Sequence, residues 1–164
     1  MTALSAGDAV IGLVGWLVLC FGAAAVGARY KPGAWYAGLR KPAWNPPNWL
    51  FAPVWTLLYA MMAVAAWLVW REVGLARESV LFVVQLALNA AWTWLFFGLR
   101  RPGLAFADIV ALWLAILATL LAFWSVRPFA GLLLAPYFAW VTFAAALNAA
   151  LWRLNPAQGR PSAE

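Results

Sequence analysis

The chain has 164 residues, of which 67% are hydrophobic and 10% are charged, whereas soluble domains have roughly 45–50% apolar and about 25% charged residues. An ordinary soluble domain is excluded, because it would have too little polar surface to cover itself. The sequence contains no histidine, which excludes His-ligated haem, the usual zinc sites and His-based catalytic triads. The net charge of +6 lies in short segments between apolar runs, so it indicates attraction to anionic lipid headgroups rather than to nucleic acid.

Five apolar runs follow one another along the chain. They cover about 9–28, 50–70, 79–99, 104–124 and 129–152. About 20 residues, at a rise of about 1.5 Å each, cross the hydrocarbon core of a bilayer, so we predict an all-α, integral membrane bundle of five transmembrane helices. The predicted bundle is a single domain over 1–155, with a long first loop at 29–49 and a short tail at 156–164.

The lysines and arginines between the runs indicate an orientation. The first loop, the third loop and the tail carry eight of them, whereas the N-terminal segment and the second and fourth loops carry three. By the positive-inside rule, we predict that the N-terminus lies outside and that the first loop and the C-terminus are cytoplasmic. Helical spans favour the inner membrane of a bacterium, because outer-membrane proteins are mostly barrels; the outer membrane is the alternative.

One formal charge lies inside a predicted span. Asp108 lies near the start of the fourth span, seven residues after Arg101. Ionisable residues inside membranes are candidates for function, but this one is close to the interface. We interpret Asp108 as a residue that is paired locally or hydrated, in preference to a proton or ligand site.

Three of the predicted helices each carry a stripe of aromatic and polar side chains. Spacings of three and four residues place the members of a stripe on one face. The stripes are Trp55, Tyr59 and Met62 on the second span; Gln85, Asn89, Trp92 and Phe96 on the third; and Trp140, Ala144 and Asn148 on the fifth. For any single asparagine, hydrogen bonding between packed helices is the simpler interpretation. Together, the three stripes predict a cavity for a flat, apolar ligand with a few polar groups.

A pair of small residues on the third span suggests how two copies could meet. Ala87 and Ala91 are four residues apart, and small residues at this spacing let transmembrane helices approach closely. We therefore expect a homodimer that forms through the third helix.

The tryptophan- and proline-rich first loop resembles that of the TspO/MBR family. The resemblance begins in RYKPGAWYAGLRKPAWNPPNWLFAPVW (29–55) and continues through QLALNAAWTWLFFGLR (85–100) and APYFAWVTFAAALNAALWRLN (135–155). The family comprises the tryptophan-rich sensory proteins of bacteria and the related translocator protein, also called the peripheral-type benzodiazepine receptor. The resemblance implies a five-helix bundle, often a homodimer, with a cavity that opens toward the first loop.

The resemblance also implies ligands and the residues that bind them. Family members bind porphyrins such as protoporphyrin IX, and eukaryotic members bind cholesterol and isoquinoline or benzodiazepine-like drugs. The positions that match family cavity residues are Tyr36, Pro46, Pro47, Trp55, Asn89, Trp92, Trp140, Ala144 and Asn148. We add Tyr59 as a ligand-binding residue because it lies in the same stripe as Trp55. We expect protoporphyrin IX or haem as a ligand, no obligatory cofactor and no metal site. The propionates of a porphyrin would meet Arg40 or Lys41 at the cytoplasmic mouth.

The prolines in the first loop suggest a lid. Trp44 and Trp49 can anchor the loop at the headgroups, while Pro46 and Pro47 stiffen it, because proline fixes φ and restricts the residue before it. We therefore predict a semi-rigid lid over the cavity, with Trp44 and Trp49 as lid residues.

The end of the fifth span departs from the sterol-recognition pattern of animal members. That pattern places a tyrosine where this chain has Ala149, and the pattern is weak even when it is complete. The departure lowers our expectation of specific sterol binding.

Three functions remain open from what the resemblance implies and from the residues. We favour a membrane receptor or sensor that binds tetrapyrroles and regulates their metabolism or transport. The first alternative is a light-dependent enzyme that degrades porphyrin, with Trp55 and Trp140 as catalytic residues. The second alternative is a porphyrin or sterol transporter, which is disfavoured because the sequence shows no ion-coupling pair of intramembrane carboxylates.

Overall fold

A computed structural model describes residues 5–156 of the chain. The helices are α1 (Ala6–Ala28), α2 (Ala34–Gly38), α3 (Phe51–Val73), α4 (Arg77–Thr93), α5 (Pro102–Val126) and α6 (Pro128–Leu154). A 3-10 turn, Asn48–Leu50, leads into α3, and a π-helical turn, Trp94–Gly98, continues α4. No strand occurs in this part of the chain.

Five of these segments are long and apolar enough to cross a membrane, which confirms the predicted fold class. They cover Ala6–Ala28, Asn48–Val73, Arg77–Gly98, Pro102–Val126 and Pro128–Leu154. Their ends lie within three residues of the predicted boundaries. Within the predicted first loop, the short helix α2 was not predicted. Of the predicted tail, 157–164 lies outside the described residues.

The helix ends follow from local sequence. At the start of α1 the Ser5 hydroxyl accepts a hydrogen bond from the Asp8 N–H, and the Asp8 carboxylate accepts one from the Ser5 N–H, which is a capping box. Helices α5 and α6 begin with Pro102 and Pro128, whose missing N–H costs nothing in the first turn. Helix α3 ends at Val73 and is followed by its C-cap Gly74, whose φ of 69° suits glycine.

The five long helices form a ring in the order α1, α3, α6, α5 and α4, and α4 returns to pack against α1. Helix α3 is the most buried of them. At the end of the bundle away from the first loop the core is solid: Phe82 stacks on Phe123 with ring centroids 5.9 Å apart and meets the edge of Trp16 at 5.5 Å. The half of the bundle nearest the first loop is packed less completely, and it contains the candidate site.

Asp108 was predicted to be paired locally or hydrated, and within residues 5–156 it forms no ion pair. Within residues 5–156 the salt bridges join Arg127 to Glu72 and Arg77 to Glu78. The Oδ2 atom of Asp108 is buried and has no hydrogen-bond partner in the same range. Arg101, seven residues before Asp108, is exposed at the N-cap of α5.

Candidate functional site

A cavity of about 360 Å³ lies between α1, α3, α4 and α6 at the end of the bundle that carries the first loop. Each of the four helices lines the cavity with the half that is nearest the first loop, because α1, α4 and α6 end there and α3 begins there. Pro32, Tyr36 and Asn48 of the first loop complete the wall. Helix α5 contributes no lining residue and packs behind α4 and α6.

Three tryptophans from three helices form the aromatic part of the wall. Trp55 of α3, Trp92 of α4 and Trp140 of α6 all line the cavity. Trp92 stacks on Phe96 with ring centroids 5.2 Å apart, and Trp140 meets the edge of Phe51 at 5.8 Å. Aromatic contacts of this kind add to the energy of buried area, so the rings are held in place before any ligand arrives.

Asn89 joins the aromatic walls of α3 and α6. Its Oδ1 accepts a hydrogen bond from the Tyr59 hydroxyl, and its Nδ2 donates one to the Tyr137 hydroxyl at 3.1 Å. Both tyrosines in turn pack against the ring of Trp55, at 5.6 Å and 6.1 Å between centroids. The amide therefore links α3, α4 and α6 beside the cavity.

Asn148 makes a second link. Its Oδ1 accepts a hydrogen bond from the Trp92 indole at 3.0 Å, and its Nδ2 donates one to the Pro102 carbonyl at 2.8 Å. The side chain is buried. Asn148 thus fixes the orientation of Trp92 and ties α6 to both α4 and α5.

The wall offers little free polarity to a ligand. Among the residues that the structure describes, no charged side chain lines the cavity, and Asn89 and Asn148 each use both amide atoms on protein partners. The Nε1 atom of Trp140 is buried and has no partner within this part of the chain. A molecule that fits must be mostly apolar, because an unpaired polar group costs free energy in such surroundings.

Tyr36 brings the first loop into the wall of the cavity. Its hydroxyl donates to Asn45 Oδ1 at 3.3 Å, and the ammonium of Lys41 lies 4.8 Å from the centre of its ring. Burial raises the pKa of the Tyr36 hydroxyl. Tyr36 is therefore neutral at physiological pH and acts as a hydrogen-bond donor.

The predicted site residues divide into two groups. Those that the structure brings together in the cavity wall are Tyr36, Trp55, Tyr59, Asn89, Trp92, Trp140, Ala144 and Asn148. Those that lie outside it are the prolines Pro46 and Pro47 and the predicted lid residues Trp44 and Trp49. Trp49 is 71% exposed, and Trp44 is half-exposed and packs on Phe143 of α6 with ring centroids 5.6 Å apart. The residues of the predicted first loop that line the cavity are Pro32, Tyr36 and Asn48, so both the earlier part of the loop and its end contribute to the wall.

Several lining residues were missed. Helix α1 contributes Phe21, Ala24 and Ala28, whose spacing of three and four residues is a helical stripe that the sequence contained. The π-helical turn contributes Phe97 beside the predicted stripe residue Phe96; Phe97 was missed, because no sequence signal predicts that turn. Gln85 and Met62 belong to the predicted stripes, but they are buried away from the cavity.

Comparison with known proteins agrees with this architecture. The TspO/MBR family model matches residues 10–153. Protein CrtK of Rhodobacter capsulatus is 47% identical over 150 residues, which cover 87% of this chain and 92% of that protein. The Translocator protein of Homo sapiens is 44% identical over 138 residues, which cover 79% of this chain and 82% of that protein. The chain belongs to the TspO/MBR family.

Membership confirms the resemblance seen in the sequence. A further TspO/MBR relative, the Tryptophan-rich sensory protein of Cereibacter sphaeroides, is 41% identical over 140 residues, which cover 85% of this chain and 89% of that protein. Together with the five apolar helices, these relatives identify the chain as an integral membrane protein with a receptor- or sensor-type role.

Proposed function

We propose that this TspO/MBR protein binds a tetrapyrrole, protoporphyrin IX in the first place, in the cavity beneath the first loop, and so senses or regulates tetrapyrrole metabolism or transport. The observation that carries the proposal is the arrangement of Trp55, Trp92 and Trp140 on three different helices around one uncharged cavity. Indole rings stack on the face of a flat aromatic ligand and lose little entropy in doing so.

The chemistry of the wall favours a free-base porphyrin over haem. Within residues 5–156, the side chains that line the cavity include no histidine, cysteine or methionine, so the wall lacks the strong axial ligands of haem iron. The hydroxyls of Tyr36 and Tyr59 already donate to asparagines. The propionates of the ligand would lie outside the uncharged cavity, near Arg40 or Lys41 of the first loop.

The proposal includes an orientation, a membrane and partners. We place the first loop and the C-terminus in the cytoplasm and the N-terminus outside, in the inner membrane of a bacterium. We further propose a homodimer through α4, whose exposed side carries Val80, Val83 and Val84 beside Ala87. Isoquinoline or benzodiazepine-like drugs and sterols are further candidate ligands, the sterols less so because of Ala149.

Titration with protoporphyrin IX in the dark tests the binding function. Quenching of tryptophan fluorescence should be saturable in purified protein, and the affinity should fall about tenfold in Trp55→Ala and in Trp140→Ala, because each loses a stacking surface. Trp49→Ala is the matched control, since that indole is exposed outside the cavity. Unchanged titration curves in both cavity variants would contradict the proposal.

Light-driven oxidation of the bound porphyrin is a second candidate function. It is favoured by the presence of two readily oxidised indoles, Trp55 and Trp140, in the wall of the same cavity. In such a reaction Trp55 or Trp140 gives one electron to the excited porphyrin and regains it by the end of the cycle, so the indole is not consumed. Molecular oxygen is the net oxidant: one carbon–carbon double bond of the macrocycle is cleaved, and each of its carbons takes one oxygen atom. The product is a linear tetrapyrrole.

Illumination of the same complex tests this second function. We expect the porphyrin absorption band to disappear under light and oxygen, with a product heavier by two oxygen atoms in the mass spectrum. The Trp55→Phe and Trp140→Phe variants keep an aromatic ring but are harder to oxidise, so they should retain binding and lose product. If free porphyrin gives the same amount of product without the protein, the enzymatic function is ruled out.

A further inference from the structure

The side chain of Asn155 pairs with the backbone of the first loop. Its Oδ1 accepts a hydrogen bond from the Arg40 N–H at 3.0 Å, and its Nδ2 donates one to the Arg40 carbonyl at 3.0 Å. Nδ2 also donates to the Leu151 carbonyl at 2.8 Å. A residue in an antiparallel sheet exchanges the same two bonds with its neighbour, so the amide acts here as a substitute peptide group across 115 positions of sequence.

These bonds are the polar attachment of the loop to the bundle. Within the described residues, Asn155 makes all of the hydrogen bonds that join the segment 31–46 to a transmembrane helix. The other side-chain bonds of the segment stay inside it, from Tyr36 to Asn45, from Lys41 to Ala37 and from Asn45 to Pro46. The remaining attachment is apolar and comes from aromatic and aliphatic packing.

The attachment point is close to the cavity wall at both ends. On the loop side, Leu39 is 6% exposed and packs in one apolar cluster with Tyr36, which lines the cavity. On the helix side, Leu151 belongs to the same cluster and also lines the cavity. The amide of Asn155 therefore joins two parts of the cavity wall that are far apart in sequence.

Directional bonds add something that apolar packing lacks. Apolar contacts between the loop and α6 tolerate sliding, whereas two bonds to the N–H and carbonyl of one residue fix the position of the loop to a single register. Asn155 is itself only 9% exposed, so water does not readily replace the bonds. An intramolecular hydrogen bond contributes about 1 kcal/mol net, so the pair favours the closed loop by roughly tenfold or more.

We propose that Asn155 is a positioning residue that latches the first loop closed, so that release of its amide from Arg40 opens the cavity for entry and exit of the ligand. The ligand in question is that of the proposed function, on which this inference rests. The latch holds the loop closed in the empty protein as well as in the complex. Its loss should therefore accelerate entry and exit together and change the dissociation constant much less.

Proteolysis of the full chain in lipid nanodiscs tests the latch without any ligand. Between residues 31 and 46, trypsin can cut only after Arg40, because Lys31 and Lys41 are each followed by proline, which blocks cleavage. In Asn155→Ala we expect cleavage after Arg40 to become about tenfold faster. Cleavage after Arg29, at the end of α1, is the internal reference and should keep its wild-type rate.

Two further variants keep the test decisive. Asn155→Asp retains the shape and the acceptor for the Arg40 N–H but turns a carboxylate toward two carbonyls, so it should release the loop at least as much as alanine does. Leu154→Ala truncates the exposed neighbour and should behave as wild type. If cleavage after Arg40 keeps its wild-type rate in both Asn155 variants, the latch is wrong.

Ligand kinetics then test the function of the latch. In Asn155→Ala, stopped-flow fluorescence should give association and dissociation rates for protoporphyrin IX that are each about tenfold faster, with a dissociation constant within a few-fold of wild type. If Asn155→Ala is cleaved faster by trypsin but releases protoporphyrin IX at the wild-type rate, Asn155 does not control access to the cavity. A wild-type protein that binds no protoporphyrin IX would overturn the proposed function, and proteolysis alone would then decide the latch.

Discussion

Replacing Ala144 by phenylalanine should lower the affinity for protoporphyrin IX about 10- to 100-fold. Ala144 lies on α6 one turn from Trp140 and one turn from Asn148, and all three line the cavity. A benzyl group at this position occupies space that the ligand needs in a cavity of about 360 Å³, and forcing extra atoms into such a site costs about 1–3 kcal/mol. Fluorescence titration in the dark measures the loss.

A matched control places the same side chain on the other side of α6. Ala146 is exposed and lines a shallow groove between α5 and α6 on the outside of the bundle. Ala146→Phe should bind protoporphyrin IX as the wild type does. Ala144→Phe should also keep the wild-type midpoint of thermal unfolding, because it fills a void. Wild-type affinity in Ala144→Phe would place the ligand elsewhere in the molecule.

The part of the site that the sequence predicted is the part that follows helical periodicity. Trp140, Ala144 and Asn148 repeat every four residues, and Trp55 and Tyr59 do the same on α3. Once a segment is known to be helical, such residues must share a face. The transmembrane spans could be predicted from the sequence equally well, because an uninterrupted apolar run longer than about 18 residues is typical of a transmembrane helix.

The path of the first loop could not be predicted in this way. A loop has no period, and its position here depends on contacts such as that of Asn155 with Arg40, which lie 115 residues apart in sequence. Pro46 and Pro47 were predicted to cover the cavity; neither lines it, although the next residue, Asn48, does, and Pro47 is the N-cap of the turn that leads into α3. Proline stiffens whichever segment contains it and carries no information on what that segment covers.

The asparagines show how one pattern can serve two roles. Asn89 and Asn148 were predicted to face a ligand, while bonding between helices was the simpler interpretation of either one alone. In the structure both side chains bond to other helices, and both also line the cavity. Periodicity places an amide on a face, but the partner of that amide depends on which helices meet there, and this is a tertiary property.

Replacing Asn89 by leucine should lower the free energy of unfolding by about 1–3 kcal/mol. Leucine has a similar volume but cannot bond to Tyr59 or Tyr137, so two buried hydroxyls lose their partner at once. An unsatisfied buried polar group costs about 1–3 kcal/mol, whereas single interhelical bonds in membranes average about 0.6 kcal/mol. Unfolding followed by far-UV circular dichroism in detergent measures the change.

Removing the two hydroxyls as well should restore most of that stability. In the triple variant Asn89→Leu, Tyr59→Phe and Tyr137→Phe, no polar atom of the network is left without a partner, and replacing both sides of a hydrogen bond by apolar groups is nearly neutral. The rings that pack against Trp55 are kept, so the walls of the cavity stay in place. If the triple variant is as unstable as Asn89→Leu alone, the loss comes from packing around leucine, and the hydrogen bonds of Asn89 contribute little to the fold.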